Sequence, residues 1–137
     1  MIRLYSPYKG KKGIKRIINA FYYSITGLVT VYQHETAFRQ IILMNLVLIP
    51  LSFFINVSSI ERVLMIAGCL LAIVIELFNS ALKAVVDRIS LERHILSKNS
   101  KDMGSAAQLI ASFIILNTWL IIFKSLIFLN YKIFFNS

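Results

Sequence analysis

Five polar side chains follow one another at helical spacing in the middle of the chain: Glu76, Asn79, Ser80, Lys83 and Asp87. Steps of three, four and seven residues place them on one face of a helix. Glu76 lies in the apolar run AIVIELF, where a partly desolvated carboxylate is a stronger base than in water and suits proton abstraction. From the position of Glu76 alone, a structural hydrogen bond between helices explains such a carboxylate equally well, and its polar neighbours on the same helix face shift the balance toward chemistry.

The segment after this polar stripe adds charges of both signs. We expect Asp102 and Ser105 at the start of the last long helix, where backbone N–H groups and the helix dipole favour anions. Glu35, between His34 and Arg39, is a further carboxylate. This chemistry suits a phosphate-bearing, water-soluble ligand that meets a lipid, although no P-loop, GxGxxG or kinase-type catalytic loop is present. The charged residues of the segment are Arg88, Glu92, Arg93, His94, Lys98, Lys101 and Asp102.

Composition restricts the class of protein that can present these residues. The 137 residues include 15 Lys or Arg and 6 Asp or Glu, giving a net charge of +9, and 58% of them are apolar. The apolar share exceeds that of an ordinary soluble domain, about 45–50%. Nucleic acid is not expected as a partner, because the long apolar segments leave no water-facing scaffold for the basic residues. A single cysteine excludes an internal disulfide framework and a Cys-rich zinc site, so we predict a small integral membrane protein.

The predicted fold is all-α, with three transmembrane helices in a single membrane domain over residues 1–137. Three apolar stretches approach the roughly 20 residues that a span requires, and we predict helices containing them over about 38–57, 60–89 and 102–129. Residues 1–40 hold seven basic residues and 83–102 hold five. The positive-inside rule then places the N-terminus in the cytoplasm and the C-terminus in the periplasm.

An amphipathic helix is predicted over residues 14–33, after a loose leader over 1–13. Its apolar residues recur at steps of three and four, beside the basic residues Lys15 and Arg16. This pattern is typical of a helix in the cytoplasmic membrane interface. Packing on the helix bundle for structural reasons alone is the alternative. Three spans cannot readily enclose a polar site, so we also expect a homo-oligomer.

Several sequence blocks together resemble the prokaryotic diacylglycerol kinase family, the small trimeric integral-membrane kinases. The resemblance rests on IELFNSALKAVVDRIS at 75–90 and SKDMGSAAQLIA at 100–111. ETAFRQ at 35–40 and GIKRIINAFYYSITGL at 13–28 look like the preceding blocks of the family. The resemblance covers about residues 13–125 and is closest to the branch that acts on diacylglycerol rather than undecaprenol.

The resemblance implies magnesium-dependent transfer of the ATP γ-phosphate to diacylglycerol, yielding phosphatidic acid, by a homotrimer in the bacterial inner membrane. Glu76 matches the catalytic base, Asn79 a residue that supports it, and Glu35 a metal-binding carboxylate beside the nucleotide. On the lipid side, Ser105 and Trp119 match substrate-binding positions together with Glu76. The positions that match nucleotide contacts are Arg16, Tyr23, Glu92, His94, Lys101 and Asp102.

One position departs from the pattern that the resemblance implies. The second metal-binding carboxylate is expected at position 83, where this chain has Lys83, and a protonated lysine cannot ligate magnesium. Lys83 could itself neutralise phosphate charge, Asp87 or Glu92 could compensate, or activity could be weak or lost. We hypothesise a retained but altered activity. The alternatives are an undecaprenol kinase and a kinase-derived membrane scaffold.

Overall fold

The computed structural model of the chain describes residues 13–135, with side chains through residue 128. The predicted leader, apart from Gly13, lies outside the described residues. Every regular element described is an α-helix. One compact unit contains the first helix and a second unit contains the other three. That residues 1–137 form one membrane domain stays a prediction. The helices are α1 (Ile14–His34), α2 (Thr36–Phe54), α3 (Ser59–Ile89) and α4 (Ile95–Phe135).

Helix α1 begins directly after Gly13, whose φ of 73° lies in the left-handed region that favours glycine. The Gly13 carbonyl accepts a hydrogen bond from the Arg16 N–H at 2.9 Å, which starts the first turn. Within α1, the hydroxyls of Ser24, Thr26 and Thr30 each donate to the carbonyl four residues earlier. These hydroxyls are therefore satisfied without water. The placement of α1 in a membrane interface stays a prediction.

Helices α2, α3 and α4 are each long and apolar enough to cross a membrane. They leave large apolar side chains exposed, such as Leu46, Phe78 and Leu116. Exposing this much apolar surface to water is unfavourable by about 25 cal/mol per Å². The three helices therefore suit a lipid environment or contact with further copies, as the composition predicts.

Helix α3 packs against both α2 and α4. On the α2 side, the buried Asn45 amide donates from Nδ2 to the Cys69 carbonyl at 2.9 Å, a polar contact between the two helices. On the α4 side, close packing of small and large side chains forms the core. The buried members of this core are Met65, Ala72, Ala111, Ile115, Trp119 and Ile122.

Side chains cap both helix ends at the turn between α2 and α3. Arg62 donates from Nε to the Ser52 carbonyl at 3.0 Å and from Nη2 to the Ile55 carbonyl at 3.3 Å. It thereby satisfies acceptors that α2 leaves at its end. Ser58 and Glu61 form a capping box at the start of α3, with each side chain bonded to the other's backbone N–H. Helix α2 accordingly ends at Phe54, three residues before the predicted boundary.

Helix α4 begins at Ile95, seven residues before the predicted boundary near 102, and runs to Phe135. Its first turn is stabilised by His94, whose Nδ1 accepts from the Leu96 N–H at 3.2 Å. Lys98 and Asp102 pair along the helix at 3.0 Å, so a polar sequence forms regular helix before the apolar span begins. Asp102 and Ser105 therefore lie inside α4 rather than at its N-terminus, and the expected helix-terminal anion site is wrong.

Candidate active site

The centre of the candidate site is a buried carboxylate on α3. Glu76 is 1% exposed and Asn79 is 6% exposed. The Asn79 Nδ2 donates to the Glu76 Oε2 at 3.3 Å, because residues three apart lie on one face of a helix. The described chain supplies no partner for Oε1 of Glu76, Oδ1 of Asn79 or Oγ of Ser80. Buried polar atoms without a partner are unfavourable, so each of these three oxygens has capacity to accept a hydrogen bond from a ligand or a further copy.

Two turns further along α3, Lys83 pairs with Glu35. The Lys83 Nζ lies 3.2 Å from the Glu35 Oε2, and the two side chains are 28% and 29% exposed. Glu35 is the N-cap residue of α2, but its side chain makes no capping hydrogen bond. The carboxylate forms an ion pair with the lysine instead, which joins the start of α2 to α3 two turns from Glu76.

A charged groove of about 720 Å³ lies where α3 ends and α4 begins, within the usual volume range of small-molecule sites, roughly 300–1,000 Å³. It brings together four of the predicted nucleotide-contacting residues: Glu92, His94, Lys101 and Asp102. Asp87 also lines the groove and forms an ion pair with Lys101 across the two helices. The structure thus assembles these residues into one concave surface.

The groove and the buried carboxylate lie along the same helix. Eleven residues separate Asp87 from Glu76, about 16 Å along the helix axis. Lys83 falls between them, four residues from Asp87 and seven from Glu76. An elongated ligand with its head in the groove could therefore extend along the polar stripe, past a cation, toward the carboxylate.

The remaining predicted site residues lie elsewhere. Arg16 and Tyr23 are on α1, in the other unit. Ser105 is exposed on α4 and its hydroxyl donates to the Lys101 carbonyl at 3.1 Å. Trp119 is buried in the α3–α4 core, 14 residues or about 21 Å along α4 from Ser105. Their proposed ligand contacts stay predictions.

Magnesium has a restricted set of donors here. Among the described residues, no three His, Cys, Asp or Glu side chains group together in a way that could hold a metal ion. Glu35 offers one partly exposed carboxylate, already paired with Lys83. Magnesium in nucleotide enzymes commonly takes one or two carboxylates and completes its ligands with phosphates and water. The residues therefore fit an ion that arrives with a nucleotide, not an all-protein cage.

Sequence reasoning did not predict the role of Asp87 in closing the groove. Arg93 and Lys98, which the sequence places among the charged residues of this segment without an assigned contact, line the same surface. One feature of the sequence indicates such a contact: Asp87 lies at the end of the polar stripe. The antiparallel helix that follows α3 must pass close to that end. Which residue of α4 faces it depends on packing register, which local spacing does not determine.

The sequence profile of the family described as prokaryotic diacylglycerol kinase matches residues 22–123. The chain belongs to the prokaryotic diacylglycerol kinase family. It is 59% identical to a protein named diacylglycerol kinase from Pseudomonas aeruginosa over 114 residues, covering 83% of this chain and 93% of the relative. A protein of the same name from Haemophilus influenzae is 46% identical over 107 residues, with 78% and 91% covered. The Escherichia coli K12 protein of that name is 44% identical over 113 residues, with 82% and 93% covered.

Membership of the prokaryotic diacylglycerol kinase family confirms the resemblance drawn from the blocks at 75–90 and 100–111. The matched range includes Glu35, Glu76 and the whole groove, whereas the predicted site residue Arg16 lies outside it. The family match, the buried carboxylate and the groove all fall in the same part of the chain. This part is therefore the candidate active site.

Proposed function

We propose that the chain is a lipid kinase that transfers the γ-phosphoryl group of ATP to the hydroxyl of diacylglycerol and forms phosphatidic acid. The observation that carries the proposal is Glu76, a buried carboxylate on an apolar helix with its Oε1 unpaired in the described chain. A lipid hydroxyl is a donor that would complete the hydrogen bonding of this oxygen. Family membership supports the same activity, since the relatives compared are named diacylglycerol kinase.

The proposed chemistry is an in-line displacement. The lipid hydroxyl oxygen attacks the γ-phosphorus, its proton passes to Glu76 Oε1, and the bond from the γ-phosphorus to the bridging oxygen breaks to release ADP. Asn79 holds the other oxygen, Oε2, so that Oε1 faces the substrate. A positioned base of this kind contributes roughly 10²- to 10⁴-fold to a rate.

The nucleotide would bind in the groove, with Glu92, His94, Lys101 and Asp102 as its contacts. Arg16 and Tyr23 would contribute from α1. Lys101 is paired with Asp87 across the groove, and phosphate binding would exchange that partner for the nucleotide. Phosphoryl transfer depends mainly on positioning and charge neutralisation, which Lys101 and Arg16 would provide.

Glu35 would hold magnesium together with the phosphates of ATP. When bound, the ion would neutralise charge on the transferring phosphates. Lys83 lies between the groove and Glu76 on α3, so we propose that its ammonium also neutralises phosphate charge and that activity is retained but altered. The alternative is a kinase-derived membrane scaffold without activity. It is motivated by Lys83 at the position where a metal-binding carboxylate is expected.

The proposed setting is the inner membrane of a bacterium. The N-terminus and the connection between α3 and α4 would face the cytoplasm, where ATP is available, and the C-terminus would face the periplasm. Helix α1 would lie in the cytoplasmic interface. A homotrimer would enclose the site, with Ser105 and Trp119 on the lipid side.

An assay with radiolabelled ATP in mixed micelles tests the proposal. Purified protein is given diacylglycerol or undecaprenol, each with and without magnesium. We expect label in phosphatidic acid, only when magnesium is present. Label in undecaprenyl phosphate alone would replace the proposed substrate, and no transfer to either alcohol, together with poor nucleotide binding, would support the scaffold.

A further inference from the structure

Gly104 of α4 lies directly against the Asn79 amide of α3. A Cβ atom built on Gly104 would overlap Oδ1 of Asn79 and would lie 3.2 Å from its Cγ. It would also contact the Leu82 Cδ2 at 3.5 Å. Any side chain at position 104 therefore requires Asn79 to move or the two helices to separate.

Asn79 has little freedom to move. Its side chain is buried, and its Nδ2 donates to Glu76. An asparagine amide turns about only two bonds, so displacing Oδ1 also displaces Nδ2 and breaks the hydrogen bond to Glu76. Leaving a buried donor without a partner is unfavourable, so separation of the helices competes with rotation of the amide.

We infer that Gly104 is a positioning residue for the Glu76–Asn79 pair. The absence of a Cβ at 104 lets the Asn79 amide occupy the space beside α4 while its Nδ2 fixes the Glu76 carboxylate. Gly104 has no side chain with which to contact Glu76, so it acts only through Asn79. The inference rests on the proposed function to the extent that Glu76 is taken as the base.

A second glycine in the same helix pair provides the contrast. A Cβ on Gly68 of α3 would lie 3.7 Å from the Ile115 Cγ1 and 3.8 Å from the Ile114 Cγ2, which are ordinary van der Waals distances. The α3–α4 interface therefore accepts an added methyl group at Gly68 and excludes one at Gly104. Of these two glycines, only Gly104, which lies against Asn79, must lack a side chain.

The test compares Gly104→Ala with the matched control Gly68→Ala in full-length protein in lipid micelles. For Gly104→Ala we expect kcat for diacylglycerol phosphorylation to fall about 10- to 100-fold, because small misplacements of a reacting group have effects of this size. The KM for ATP should stay within about twofold, since the groove is untouched. Gly68→Ala should keep both parameters within about twofold of the parent.

A double-mutant cycle with Asn79→Ala separates positioning from general packing. Removing the amide makes room for the new methyl group, so Gly104→Ala should have little further effect on kcat or on the thermal unfolding temperature in that background. If Gly104→Ala alone fails to fold, the double variant should recover folded protein. Additive losses in the cycle would overturn the inference.

The Asn79 side-chain amide resonances, followed by NMR with selective ¹⁵N labelling, give a readout that does not depend on catalysis. They should shift in Gly104→Ala and stay in place in Gly68→Ala. Unchanged resonances together with a parental kcat would contradict the positioning role. If the parent protein phosphorylates no lipid, the proposed function fails, while the resonances and the unfolding cycle still decide the role of Gly104.

Discussion

The Nζ of Lys83 lies 3.2 Å from the Oε2 of Glu35, joining the last third of α3 to the N-cap residue of α2. Both groups are partly exposed, so the pair is open to exchange with a ligand. A cation therefore occupies the position at which the resemblance implies a metal-binding carboxylate. In the proposed enzyme this cation adds fixed positive charge between the groove and Glu76.

Lys83→Glu tests whether that cation has become part of the mechanism. We expect at least about a tenfold fall in kcat/KM for ATP, because the change removes a positive charge near the phosphates and places a second carboxylate beside Glu35. Initial rates over a range of ATP and magnesium concentrations measure it. Lys124→Glu, on α4 and outside the groove, is the control for a general effect of charge reversal. A tenfold gain in rate would instead identify the native lysine as a lesion.

Lys101→Met tests the assignment of the groove to the nucleotide. The lysine lines the groove and faces Asp87, so its loss should raise the KM for ATP about tenfold, equivalent to about 1.4 kcal/mol, and leave the KM for lipid unchanged. Lys98→Met provides the comparison within the same surface, since Lys98 is more exposed and pairs along its own helix with Asp102. Equal effects of the two substitutions would argue against a specific phosphate contact at Lys101.

Arg62→Met tests whether the hydrogen bonds of Arg62 to the end of α2 stabilise the fold without affecting catalysis. The substitution removes charged hydrogen bonds to the carbonyls of Ser52 and Ile55, each worth about 1.5–3 kcal/mol. We expect a lower thermal unfolding temperature with kcat unchanged in the folded fraction. Circular dichroism in detergent, with activity measured on the same samples, decides this. A parental unfolding temperature would show that these caps contribute nothing measurable.

The sequence was informative wherever a local pattern determined the outcome. Continuous apolar runs predicted the three long helices, and the spacing of Glu76 and Asn79 predicted that they share a face. The partners of Lys83 and Asp87 were not predictable, because Glu35 and Lys101 are 48 and 14 residues away and their approach depends on helix packing. The sequence predicts a start of α4 near 102 because residues 97 to 101 are all polar, whereas the helix begins at Ile95, supported by the His94 cap and the Lys98–Asp102 pair.

The rate of phosphoryl transfer from ATP to diacylglycerol by Glu76→Gln tests whether Glu76 accepts the proton of the lipid hydroxyl. Glu61→Gln makes the same chemical change in the first turn of the same helix, in the capping box with Ser58, and serves as the matched control. We expect Glu76→Gln to assemble normally but to lose about 100-fold or more of kcat, while Glu61→Gln keeps the parental rate. Undiminished transfer by Glu76→Gln would show that Glu76 is not the base.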